Sequence, residues 1–244
     1  MSEAETQKIA QQKAALRTEV LARRDAIAQE YREAKNVLIG AQLLQKVDWE
    51  GLAQAKEMRA WNALAAATEA GAAGTAAGKA ADADAAADPV TVTVYAAMKS
   101  EPNVDGFAAV AYMHGARVCY PCMERLPEGN PEGRRMHMVF RAVGVDQRAD
   151  CPFVRHPLQS LAEDDPVLAA YPAVDAQDLD VIIVPIVAFD NDNNRLGYGG
   201  GNYDRLLAGI RPDTQVIGVA FAEQCVNAVP CEPFDQPLQS IVSA

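Results

Sequence analysis

Nothing charged or strongly polar interrupts the chain between Val181 and Phe189 in DLDVIIVPIVAFD, residues 178–190. A strand with one wet face alternates apolar and polar residues, whereas a strand covered on both faces reads as a continuous apolar run. The segment is therefore expected to be a strand inside a parallel sheet, with helices packed on either side. QVIGVAFA (215–222) is a second such run, and the short helical stretch YDRLLAGI (203–210) lies between the two. Upstream, TVTVYAA (91–97), RVCYPCM (117–123) and MHMVFRAV (136–143) have strand character, while FAAVAYMHGA (107–116) reads as a helix. Strands alternating with helices predict an α/β layered fold, a mostly parallel sheet flanked by helices.

The amino-terminal part is helical. Ile9, Leu16, Val20, Ile27 and Tyr31 recur at steps of seven and four, one face of an amphipathic helix whose other face carries Lys13, Arg17, Arg23 and Arg24. A second helical stretch covers about 34–47, and its pattern continues less clearly through Trp61. Residues 65–88, AAATEAGAAGTAAGKAADADAAAD, contain no large apolar side chain. Such a segment buries too little surface to offset its ordering entropy. It is expected to be a flexible insert in a single domain spanning 1–244.

A net charge of −11 repels phosphate backbones, so nucleic acid is not an expected partner. An anionic ligand must instead find locally assembled positive charge. No apolar run approaches the ~20 residues of a membrane span, and the polar start MSEAETQKIAQQKAAL has no signal-peptide core. The five cysteines, an odd number in a chain large enough to fold without disulfides, suggest reduced thiols and a cytoplasmic location.

The strand at 178–190 runs into RLGYGGGNYDRLL, residues 195–207, with glycines at 197, 199, 200 and 201. Ligands of open α/β sheets gather at the carboxyl ends of strands. Bare backbone there can turn successive N–H groups toward phosphate oxygens, aided by a following helix. The loop is not a Walker A motif, because no Gly-Lys-Ser/Thr follows, nor a G-x-G-x-x-G fingerprint, because Asn202 holds the last position. A tight strand-to-helix turn without a ligand reads equally well from the glycines alone. Arg195 and Arg205 flank the loop, and Asp204 stands where a carboxylate can hold Mg²⁺ against phosphates, which favours a phosphate site.

AFDNDNNRLGYGGGNYDRLL closely resembles the signature of the 5-formyltetrahydrofolate cyclo-ligase (methenyltetrahydrofolate synthetase) family. The likeness extends to KAALR (13–17), with Arg24 a further match, to VYAAMKSE (94–101), DLDVIIVP (178–185) and VAFAEQCVNAVPCEPFD (219–235). Only the stretch 65–88 lacks a counterpart. The resemblance implies a fold related to sugar-phosphate isomerases and CoA-transferases, with amino-terminal helices. It also implies ATP- and Mg²⁺-dependent closure of 5-formyltetrahydrofolate to 5,10-methenyltetrahydrofolate, releasing ADP and phosphate. In that reaction the formyl oxygen takes the γ-phosphoryl group, N10 attacks the activated carbon, and phosphate leaves.

Carried onto this sequence, the resemblance assigns ATP binding to Lys13, Arg17, Arg195, Leu196, Gly197, Tyr198, Gly199, Gly200, Gly201, Asn202 and Tyr203. Arg195 and Tyr203 would be catalytic. Ala96, Glu101, Tyr198, Gly199, Gly200, Gly201 and Asn202 would meet the folate, and Asp204 and Asp235 would hold Mg²⁺. A monomer without nucleic-acid or membrane partners is expected. Five features depart from the family pattern: Asn202 stands for a tyrosine, Ile186 for a glycine after the proline, His156 for a glutamate before Pro157, Pro102 follows Glu101 where a small extended segment is usual, and no aspartate stands three residues after Asp235.

Two other classes compete. A relative that binds nucleotide or folate without turnover is suggested by the departures at 186 and 202. A sugar-phosphate enzyme of the same broad fold needs a carbonyl-directed base and no triphosphate, which the paired cationic and acidic residues suit less well. Cys119-Tyr-Pro-Cys122 has the spacing of a redox pair or half a zinc site, yet Cys225 and Cys231 are badly spaced to complete one, so the cysteines are read as structural. His114, His137 and His156 show no ligand spacing. DNDNN (190–194) lacks the glutamate of a calcium loop and is read as a polar turn.

Overall fold

The structure is a computed structural model that describes residues 3–69, 88–129, 133–233 and 235–244. Three helices lead: α1 (Glu3–Asp25), α2 (Gln29–Lys46) and α3 (Trp49–Glu69). They are followed by β1 (Thr91–Thr93), α4 (Asp105–Met113), β2 (Arg117–Arg125), β3 (Met136–Ala142), α5 (Pro152–Arg155), β4 (Ser160–Ala162) and β5 (Ala173–Val174). The carboxyl-terminal part holds β6 (Val181–Pro185), β7 (Ala188–Phe189), β8 (Arg195–Leu196), α6 (Asn202–Ala208), β9 (Gln215–Ala220) and β10 (Ser240–Ser243). Of the stretch expected to be a flexible insert, residues 65–69 complete α3, and 70–87 lie outside the described residues.

The main sheet runs β10-β9-β6-β1-β2-β3-β5, with β4 also paired to β2. The pairs from β10 through β2 are parallel, and β3 is antiparallel to both β2 and β5. β6 is covered on both faces, as its unbroken apolar run requires. Ile183 joins Val92, Val118, Phe107, Ile39 and Leu43 on one side, while Ile182 and Val184 join Leu207, Val216 and Leu179 on the other. The chain crosses from β1 to β2 through α4 in one direction and from β6 to β9 through α6 in the other. The sheet order therefore reverses between β1 and β6, and the carboxyl ends of these two strands flank the crevice where such folds place ligands.

The run 178–190 is not one strand. Pro185 has no N–H to continue the ladder, and the carbonyls of Ile186 and Val187 accept hydrogen bonds from Nε2 of the fully buried Gln224, at 2.6 and 2.9 Å. The chain leaves the sheet there and forms the hairpin β7–β8. Ile186 fits because Gly218 on β9 faces it: a Cβ on Gly218 would lie 2.4 Å from Ile186 Cδ1.

At the amino-terminal end of β6, Asp180 is fully buried and gathers Arg59 (2.5 Å), Arg211 (2.8 Å), Lys56 (3.3 Å) and the Thr91 N–H (2.9 Å). These bonds fasten α3 to the end of the sheet remote from the crevice. On α1 the packed stripe differs from the expected apolar face. Lys13, Val20 and Arg24 are the buried positions, and Tyr31, beyond α1, is exposed. Polar partners across the crevice take up the charges of Lys13 and Arg24, so these long side chains pack inward.

Candidate active site

Two adjoining clefts open beside the glycine loop. The first, about 460 Å³, is lined by Lys13 and Arg17 of α1, by residues 195–204, and by Pro185, Glu232 and Asp235. The second, about 490 Å³, lies against Tyr95, Ala96, Met98 and Glu101 beyond β1, with Arg24, Met123, Met138 and Leu158 around it. Pro185, Tyr198, Asn202 and Tyr203 border both.

The first cleft is polar, with three cations, Lys13, Arg17 and Arg195, beside three carboxylates, Asp204, Glu232 and Asp235. Lys13 is buried, with its ammonium 2.6 Å from Glu232 and 2.5 Å from Asp235. Burial works against this charge, but the hydrogen bonds to Asp235 and Glu232 outweigh it and raise the pKa above the ordinary 10.5. Arg17 donates from Nε to the Gly197 carbonyl at 2.7 Å. Arg195 donates to Asp204 at 2.6 Å, and among the described residues its buried Nε has no partner. Gly199 takes a φ of +96° and Gly201 one of +62°, backbone that favours glycine. Arg205 turns back onto the loop, donating to the Gly200 carbonyl at 3.0 Å and to Asn202 Oδ1 at 2.5 Å.

The second cleft is mostly apolar. Glu101 is its buried acid, accepting from the Met98 N–H at 2.8 Å and from the Tyr198 hydroxyl at 2.6 Å. Burial and the Glu101 charge push the Tyr198 phenol up to about 12, so it stays a donor. Tyr203 stands where the clefts meet. Its buried hydroxyl has no partner among the described residues, and burial drives its pKa upward. Buried hydroxyls are nearly always hydrogen-bonded, so an orphan between two clefts invites a bound group. Asn202 fills its position by donating to Met123 Sδ at 3.6 Å.

Every residue expected in the site borders one of these clefts. Lys13, Arg17, Arg195–Asp204 and Asp235 border the first, and Ala96 and Glu101 border the second. Sequence reasoning missed Glu232, which shares Lys13 with Asp235. It also left Arg24 as a bare motif match. The remaining motifs are structural. Cys119 and Cys122 pack into opposite sides of the sheet, where burial pushes each thiol up to about 12. Asp190 caps its own turn by accepting from the N–H groups of Asp192 and Asn194 and from that of Val229. Among the described residues no helix is long and apolar enough to cross a membrane.

The fold belongs to a class with solved members. A 5,10-methenyltetrahydrofolate synthetase from Mycoplasma pneumoniae superposes with a TM-score of 0.58 at 19% identity, over 94% of this chain and 97% of that one. The Aquifex aeolicus 5,10-methenyltetrahydrofolate synthetase gives 0.55 at 20% identity, over 95% and 89%. The family model for the 5-formyltetrahydrofolate cyclo-ligase family matches residues 9–244. The 5-formyltetrahydrofolate cyclo-ligase of Escherichia coli K12 is 30% identical over 154 residues, 63% of this chain and 77% of that protein. The chain belongs to the 5-formyltetrahydrofolate cyclo-ligase family.

Proposed function

We propose that this protein uses ATP and Mg²⁺ to cyclise 5-formyltetrahydrofolate to 5,10-methenyltetrahydrofolate, with release of ADP and phosphate. The observation that carries this reading is the junction of the two clefts. A charged, glycine-lined cleft and an apolar cleft with one buried carboxylate share a wall made of Tyr198, Asn202 and Tyr203. A phosphoryl donor in the first and a ring system in the second would meet at that wall.

The chemistry asked of the protein is positioning and charge neutralisation. Lys13, Arg17 and Arg195 would neutralise the triphosphate, and Gly197–Gly201 would let backbone approach it. Arg195, with a free buried Nε beside the loop, is suited to the transferring group. Tyr203 is suited to hydrogen-bonding the formyl oxygen as that oxygen takes the γ-phosphoryl group and ADP departs. N10 then bonds to the activated carbon, gives up its proton, and the former formyl oxygen leaves within phosphate. Glu101, apolar walls and Ala96 would hold the ring while water is excluded.

The donor set fits Mg²⁺ arriving with the nucleotide. Among the described residues no cluster of three His, Cys, Asp or Glu forms a metal cage. Mg²⁺ is commonly held by one or two carboxylates plus phosphate oxygens and water. Asp204 and Asp235 are two such carboxylates on one cleft, each partly exposed and tied to a single cation. Bound there, Mg²⁺ would draw phosphate charge away from the reacting oxygen. The five cysteines are free thiols, which supports a reducing, cytoplasmic setting.

The test is substrate labelled with ¹⁸O in the formyl group. Recovery of the label in inorganic phosphate is expected. Unlabelled phosphate, formed with product, would overturn phosphoryl transfer to the formyl oxygen.

A further inference from the structure

Among the described residues Arg24 is a buried charge without a direct ion pair. It is 2% exposed, and its side-chain hydrogen bonds go to hydroxyls. Nε donates to Ser100 Oγ at 3.0 Å, and Ser100 in turn donates to Asp25. Nη2 donates to the Tyr198 hydroxyl at 3.0 Å, and that hydroxyl donates to Glu101 at 2.6 Å. Nη1 has no partner among the described residues. A guanidinium kept this dry costs free energy unless its bonds serve something.

The bridges have a consequence for Glu101. A hydroxyl has one proton. Because Tyr198 accepts from Arg24, its proton is directed at Glu101 Oε1. The Met98 N–H holds Oε2. Both oxygens of the carboxylate are thus oriented, and their remaining lone pairs are available to N–H donors in the cleft that Glu101 and Arg24 border together. The high pKa of the Tyr198 phenol keeps this donor protonated through the neutral range. Arg24 also lies two helical turns from Arg17 on α1, and the two grip adjacent residues of the glycine loop, Gly197 and Tyr198.

We propose that Arg24 is a positioning residue of the second cleft: acting through the Tyr198 hydroxyl, it orients Glu101 to receive adjacent N–H donors of a fused aminopyrimidinone ring. This deepens the proposed function and rests on folate occupying that cleft. The ligand class is that of the proposed function; the carboxylate's two oxygens are compatible with a pair of neighbouring N–H groups.

The experiment is calorimetric binding of 5-formyltetrahydrofolate to the wild-type protein, Arg24→Met, Arg24→Lys, Tyr198→Phe and the double variant Arg24→Met/Tyr198→Phe. A hydrogen bond to a charged group is worth about tenfold or more in affinity. Arg24→Met and Tyr198→Phe should each weaken binding by that factor, with Arg24→Lys recovering part of it. The double variant should bind no worse than the weaker single one, because both changes break one path. Additive losses would mark Arg24 as acting independently of Tyr198 and overturn the proposal, as would unchanged binding in Tyr198→Phe. That last arm stands even if Arg24→Met does not fold, since Tyr198 is partly exposed at the loop. Absence of binding to the wild-type protein would instead remove the folate reading on which the proposal rests.

Discussion

Gly197 and Gly199 are two residues apart, yet replacing each with alanine should do different things. At Gly199 the φ of +96° is strained for any L side chain, and a Cβ would lie 3.3 Å from Arg17 Cζ and Nη2. Left-handed backbone costs an alanine about 1–2 kcal/mol. For a chain of this size, 1 kcal/mol corresponds to about 2–4 °C in Tm, so Gly199→Ala should melt about 2–8 °C lower. The guanidinium must also shift, loosening its 2.7 Å bond to the Gly197 carbonyl. Arg17 is proposed to meet the triphosphate, and a hydrogen bond between charged groups contributes about 1.5–3 kcal/mol, so displacing the guanidinium should raise the ATP KM about tenfold or more. At Gly197 the φ is not positive, and nothing lies within 4 Å of an added Cβ. Gly197→Ala should therefore keep the wild-type Tm. Its ATP KM should still rise, because the space a Cβ would fill is the space proposed for phosphate. Calorimetric melting and initial rates against ATP measure both. A Gly197→Ala protein with wild-type ATP KM would refute the idea that the bare backbone serves a ligand. An unchanged Tm in Gly199→Ala would refute the strain argument.

Lys13→Met should raise the ATP KM by an order of magnitude or more with a smaller change for folate, and equal rises in both constants would count against a phosphate role. The folded pKa of Lys13 lies above 10.5, so its ion pairs stabilise the fold fully at lower pH and lose that contribution as pH climbs through the folded value. The stability difference between wild type and Lys13→Met should accordingly stay constant from pH 7 to about 10 and shrink above, as urea unfolding would reveal. Asp180→Ala removes the acceptor of the buried Thr91 N–H and leaves Lys56 with Asp88, and Arg59 and Arg211 with Asp213, both half-exposed carboxylates; it should cost about 1–3 kcal/mol with kcat unchanged, and a loss below about 1 kcal/mol would mean the cluster is not holding α3. Cys119 and Cys122, both fully buried and pushed up to about 12, should resist a thiol reagent at pH 8 until the protein unfolds, whereas exposed Cys231, its thiol also raised by partial burial and by Asp235 and Asp190, should react slowly but in the folded protein.

The parallel core was legible because β6 and β9 are apolar on both faces and β1 and β2 have strand-forming residues, and all four begin within a few residues of where the pattern puts them. The glycine loop was legible for a similar reason: four glycines after a buried strand leave little besides a turn or a ligand cradle. What escaped depends on contacts between distant segments. β6 and β7 part company because Gln224, nearly forty residues on, takes the carbonyls of Ile186 and Val187. Glu232 joins the cleft through Lys13, 219 positions away in the chain. The periodicity of α1 put Lys13, Arg17 and Arg24 opposite its apolar stripe, because hydropathy treats every charge as solvated. In the folded protein carboxylates, hydroxyls and a loop carbonyl take the place of water.

The most direct test is to mix the protein with 5-formyltetrahydrofolate, Mg²⁺ and ATP, and to follow the near-ultraviolet absorbance of 5,10-methenyltetrahydrofolate against a control lacking ATP. The joined-cleft account predicts a band that grows only with ATP, together with one phosphate released per product formed. Folded protein that binds both ATP and 5-formyltetrahydrofolate yet produces no band would contradict it.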